Sequence, residues 1–151
     1  MSITVTYINR DIKKYKSFKE IAQIPYYNLI FKLNCYNNQL TLLPDNMNFP
    51  NLLEFYCCNN NLTVLPDNMN FPNLQYFICS YNQLTALPLC ILNYKNLQQF
   101  TYLNNQIELS LQIAQFIDRI KNNQKKKRAK DRERKKRRKI KLLAQSDENN
   151  V

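Results

Sequence analysis

The ten residues LPDNMNFPNL stand at 43–52 and again at 65–74 without a difference. Identity over ten residues shows only that sequence was duplicated. It becomes a structural repeat if the flanking residues, which are not identical, keep the same chemistry at the same spacing. They do: Ile30, Leu33, Cys35, Asn38, Leu40, Leu43 and Pro44 are followed, 22 residues on, by Leu52, Phe55, Cys57, Asn60, Leu62, Leu65 and Pro66. A third set, Leu74, Phe77, Cys79, Asn82, Leu84, Leu87 and Pro88, keeps the step. A fourth, Leu97, Phe100, Tyr102, Asn105 and Ile107, begins 23 residues after the third and lacks the Leu-Pro. A unit this short cannot bury its own apolar face, so about three or more must stack to make a core.

The shared pattern is LxxLxLxxNxL, with cysteine at the sixth position in three units. Over roughly residues 26–110 the chain therefore resembles the leucine-rich repeat family, in its LxCxxNxL variant. The resemblance implies an α/β repeat solenoid: a short arc with a parallel concave β-sheet, an irregular convex side, and a C-terminal capping helix running into a basic helical or disordered tail. The chain divides accordingly into an N-terminal cap (1–28), four repeats within 29–110 (30–51, 52–73, 74–96 and 97–110), a C-terminal capping helix (111–120) and a basic tail (121–151). There is no glycine, and the 23 asparagines stand beside abundant Ile, Lys and Tyr. That bias resembles repeat proteins of large AT-rich DNA viruses or of AT-rich protists or bacteria. Without glycine, positive-φ turns are expected to fall mainly to Asn and Asp.

Each fixed residue has a physical reason. Phe55 and Cys57 are two apart, so on a strand both point to one face, and their counterparts stack from strand to strand. Asn38, Asn60, Asn82 and Asn105 fall where the chain leaves the strand, where a buried amide can both donate to and accept from neighbouring backbone turns. Met47, Met69 and Ile91, with Phe49, Phe71 and Tyr94, are expected to fill the core on the return side. At the N-terminus, ITVTYI alternates like a strand, and Ser17 with Glu20 has the form of a capping box opening a helix over SFKEIAQI. Ile21, Ile24 and Pro25 also fit the remnant of a degenerate repeat. At the other end Leu109, Ile113, Phe116, Ile117 and Ile120 lie at helical spacing and predict a closing helix.

Several function classes are excluded or weakened. No apolar run approaches the roughly 18 residues of a membrane span, and the N-terminus lacks the 7–15-residue apolar stretch of a secretory signal. The reading is an intracellular protein of cytoplasm or nucleus, of a host cell if viral. Histidine is absent, which removes the commonest general base and metal ligand. With no nucleophile elbow, glycine-rich phosphate loop or paired acids, no catalytic residue, cofactor, metal or small-molecule substrate is expected. Cys35, Cys57 and Cys79 read as inward, inert thiols and Cys58 as the exposed one.

Binding is then left to two surfaces. The outward strand positions Lys32, Asn34, Tyr36, Glu54, Tyr56, Tyr76, Ile78, Gln99 and Thr101, with Tyr81 just beyond, form a near-neutral, tyrosine-rich face suited to an unknown protein partner. The second surface follows from charge. Residues 1–118 carry seven basic and seven acidic residues, whereas 119–151 carry fifteen and four, the whole net +11. The stretches Lys125, Lys126, Lys127, Arg128 and Lys135, Lys136, Arg137, Arg138, Lys139 admit an importin-read nuclear localisation signal, a nucleic-acid arm, an anionic-membrane contact or a merely solubilising end. Asp131 with Lys135 and Glu133 with Arg137 have the favourable acid-first i,i+4 order for a helix.

Overall fold

The computed structural model describes residues 2–148, with side chains through residue 141; Met1 of the expected cap and the last three residues of the expected tail lie outside the described residues. The strands are β1 (Ile3–Tyr7), β2 (Ile12–Tyr15), β3 (Ile30–Asn34), β4 (Glu54–Tyr56), β5 (Tyr76–Ile78) and β6 (Gln99–Thr101). A short helix, α1 (Phe18–Ala22), precedes β3, and a long one, α2 (Leu111–Glu148), follows β6. The six strands make one mixed sheet in the order β2-β1-β3-β4-β5-β6, an α/β fold.

β3 to β6 are parallel and paired without slippage: Lys32, Glu54, Tyr76 and Gln99 align, as do Leu33, Phe55, Phe77 and Phe100, and Asn34, Tyr56, Ile78 and Thr101. The alignment follows from burial. Leu33, Phe55 and Phe77 are wholly buried, as are Cys35, Cys57 and Cys79, and a slip of one residue would turn both columns into water. Phe77 lies 5.4 Å from the rings of both Phe55 and Phe100. On the return side Phe49, Phe71 and Tyr94 form a second column with 5.9 Å between rings, and Phe55 meets Phe71 edge-on at 5.6 Å. Tyr94 is tolerated in a phenylalanine position because its hydroxyl donates to the Met69 carbonyl at 3.2 Å. The extra residue before the fourth unit is absorbed in a 3-10 turn, Leu89–Asn93, which keeps Ile91 and Tyr94 in the core.

The asparagines at the strand exits are bonded across neighbouring units. Asn60 Oδ1 accepts from the Asn38 and Leu40 amides at 2.9 and 3.0 Å, and its Nδ2 donates to the Cys35 and Cys57 carbonyls at 2.9 and 3.0 Å. Asn82 and Asn105 repeat the donations to two carbonyls one and two units on, and each accepts from one amide, that of Leu62 or Leu84. At the first unit Asn38 bonds both the amide and the carbonyl of Ser2, so the row ends on the chain's own N-terminal segment.

Three expectations need correction. The N-terminal cap holds a second strand: β2, antiparallel to β1 at the sheet edge, is a polar, largely exposed IKKY segment with no alternating pattern to reveal it. α1 is five residues rather than eight; Ser17 Oγ accepts from the Glu20 amide, but the Glu20 carboxylate reaches the amide of Lys16 and not that of Ser17. Leu109 precedes α2 and is 39% exposed, while Ile113, Phe116, Ile117 and Ile120 are buried. Of the two states expected for the tail the helical one is found: α2 runs on without a break at residue 120. No Pro or Gly interrupts it, so the junction is a change in burial rather than in backbone.

Positive φ is adopted by Asn37, Asn46, Asn59 and Asn104, but by no Asp, and also by Arg10, Gln39 and Tyr81. Asn37, Asn59, Tyr81 and Asn104 hold the same position, one before each ladder asparagine. Tyr81 is the bulky exception, at φ 56° and 59% exposed, and an aromatic residue in this region is strained. Tyr81→Asn is expected to raise stability by about 1 kcal/mol, read as a higher urea midpoint at unchanged slope; a lower midpoint would mean that ring contacts outweigh the backbone strain.

Candidate functional site

Alternation along β3–β6 turns one set of side chains into the core and the other onto an open face. On its N-terminal half that face is bonded within itself. Lys32 Nζ lies 2.9 Å from Glu54 Oε2 and 4.6 Å from the centre of the Tyr56 ring, and the Tyr56 hydroxyl donates to the same carboxylate at 2.9 Å. Burial, then the bond to the Glu54 carboxylate, pushes the Tyr56 phenol up to about 12. The one ion pair of the face is thus closed on itself. Asn34 Oδ1 accepts from the Tyr36 amide, and the Tyr36 hydroxyl accepts from Asn59 Nδ2 at 3.4 Å.

Toward β6 the character changes. Tyr76, Ile78, Gln99 and Thr101 carry no formal charge, and beyond them Tyr81 and Leu103 are 59% and 64% exposed. The structure therefore brings Tyr76, Ile78, Gln99 and Thr101 into one neutral patch flanked by Tyr81, directly beside the bonded cluster of Lys32, Glu54 and Tyr56 on the neighbouring strands. Cys58 is only half-buried, not exposed, and Ser80 is buried with its Oγ unpartnered. Both occupy interior places in the row Tyr36, Cys58, Ser80, Leu103, between the two large residues at its ends.

All five cysteines are free. Burial pushes the Cys35 thiol up to about 12, holds those of Cys57 and Cys79 well above the usual thiol range, and also raises Cys58 and Cys90. Each is protonated at neutral pH and a poor nucleophile. Among the described residues no three His, Cys, Asp or Glu side chains converge on a metal-sized site, and no helix is long and apolar enough to cross a membrane.

α2 supplies the second surface. Its first turns seat Ile113, Phe116, Ile117 and Ile120 against the core. Contact then continues past the expected boundary: Gln124 Nε2 donates to the Gln98 carbonyl at 2.6 Å, and Lys127 Nζ donates to Gln98 Oε1 at 3.2 Å. Gln98 in turn bonds Gln75, so a short glutamine chain fixes the helix to the β6 edge. No periodic signal marks these residues. From Arg128 to Lys141 every side chain is exposed. Lys125, Lys126, Lys127, Arg128, Lys135, Lys136, Arg137, Arg138 and Lys139 are all on this surface, where Arg137 pairs with Glu133 at 2.6 Å. Asp131 and Lys135 form no ion pair among the described residues.

A cleft of about 390 Å³ between the β1–β2 hairpin and α1 was not legible in the repeat pattern; Tyr7, Lys13, Tyr15, Glu20 and Tyr26 help to line it. Burial, followed by the 2.6 Å bond to the Tyr15 hydroxyl, holds the Tyr7 phenol above its ordinary range. Compared with protein-family models, curated proteins and solved structures, the chain matches none.

Proposed function

We propose that the chain is a non-catalytic leucine-rich repeat interaction module. Its strand face docks a protein, and its basic helix adds contact with an anionic polymer. The repeat reading is supported by the 22-residue register of the parallel strands and by the asparagine bonds from each unit to the next. The observation that carries the functional reading is the separation of charge. The face over β3–β6 closes its ion pair internally and leaves Tyr76, Ile78, Gln99 and Thr101 neutral, while residues 121–141 hold fourteen basic and two acidic residues. A neutral patch with Tyr76 in it and Tyr81 at its edge suits desolvation against a protein; a dense array of cations suits phosphates.

Nuclease-treated affinity purification separates the two surfaces. One protein is expected to be retained by the full chain and by residues 1–127, and lost from the double variant Tyr76→Glu, Thr101→Glu, since burying two unpaired carboxylates opposes docking. If the proteins recovered are unchanged by the double substitution, the strand face is not the docking surface.

A further inference from the structure

We infer that the free part of α2 lies in the major groove of double-stranded, B-form DNA. The inference rests on the reading of α2 as a polyanion arm and names its ligand. Three features of residues 121–141 point to it. First, the segment is one unbroken helix, about 30 Å long at 1.5 Å per residue, exposed throughout except at Gln124. Second, cations surround it. At roughly 100° per residue, Lys125, Arg132 and Lys139 fall on one side, and Lys126, Lys130 and Arg137 on another about 140° away. Third, an apolar stripe is missing: Ala129 and Ile140 are the only apolar residues in the segment.

A flat anionic membrane meets one side of a helix lying on it and rewards an apolar face that inserts, which residues 121–141 do not provide. A groove places phosphates on both walls, which matches cations on opposite sides. The B-DNA major groove is about 12 Å wide and admits an α-helix, whose diameter with side chains is about 10–12 Å. The A-form RNA major groove is too narrow and deep for this fit. Without aromatic residues the segment has no platform for unpaired bases. The body is held at one end of the arm by Gln124 and Lys127 on Gln98, leaving Arg128 to Lys141 clear to enter the groove.

The test measures binding of the intact chain to a mixed-sequence DNA duplex, its single strand, the matching RNA duplex, and phosphatidylserine vesicles, all at one salt concentration. The DNA duplex is expected to bind at least about tenfold more tightly than the other three, with a log-salt slope near −7 for about eight phosphate contacts. Bulky sugar groups on cytosine C5, which project into the major groove, should weaken it about tenfold or more. The triple variants Lys125→Gln, Arg132→Gln, Lys139→Gln and Lys126→Gln, Lys130→Gln, Arg137→Gln should lose affinity to a similar extent, with helicity checked by circular dichroism. Equal binding to single strand, RNA or vesicles, indifference to the sugar groups, or an effect of only one triple overturns the groove inference while leaving a polyanion arm. Binding to none of the four overturns both.

Discussion

Asn60→Ala is expected to destabilise the protein by about 3–5 kcal/mol, a large part of the 5–15 kcal/mol available to a domain of this size. The side chain is 7% exposed and serves the Asn38 and Leu40 amides and the Cys35 and Cys57 carbonyls. Alanine leaves the two amides and the Cys35 carbonyl unpaired in a place too tight for each to recruit water, while the Cys57 carbonyl keeps its bond from Asn82 Nδ2, and an orphaned buried group costs about 1–3 kcal/mol. The sum is smaller than three full penalties because the turn can relax. Asn105→Ala is the internal comparison. Its amide receives only the Leu84 amide and is half-exposed, so a loss of about 1–2 kcal/mol is expected. Urea melts of the two variants decide the matter: equal, small losses would mean that the amide row is decoration on a sheet held by its aromatic columns alone.

The parts of this fold that could be read from the residues are those that recur. Phe55, Cys57 and Asn60 have counterparts at the same spacing, and only one placement buries all the columns together; strand direction, pairing and inward faces follow. Nothing recurs at the ends. β2 is made by four mostly exposed residues whose partner, β1, supplies the burial, so its own pattern is silent. Leu109 continues a helical spacing that the backbone does not join, because Ser110 and not Leu109 stands at the helix entrance: Ser110 Oγ receives the Ile113 amide at 3.5 Å. The strand face was legible in which residues point outward, but not in how they divide. The closure of Lys32, Glu54 and Tyr56 into one cluster depends on side-chain reach across strands, and the burial of Cys58 and Ser80 on their interior places in the row. The basic tail was expected to begin at residue 121, yet Gln124 and Lys127 still hold the body, since contact depends on position along a helix rather than on sign of charge.

Two truncations should therefore differ sharply. A chain ending at residue 127 keeps every side chain of α2 that is buried among the described residues and both bonds to Gln98, so its cooperative melt should shift by no more than about 2 °C, the effect of a few tenths of a kcal/mol. A chain ending at residue 110 loses Ile113, Phe116, Ile117 and Ile120, all buried. At about 1.5–3 kcal/mol for each buried apolar side chain, the loss is about 6–12 kcal/mol, comparable to the whole stability of a domain. It also strips the cover from Leu97 and Phe100 and leaves β6 as a bare edge, a template for pairing with other chains. The shorter chain is expected to be aggregated or without a cooperative transition by calorimetry and size-exclusion chromatography. Should it instead melt cooperatively near the temperature of the full chain, α2 would be an appendage along its whole length, and the glutamine chain at its base would have no part in directing the basic arm.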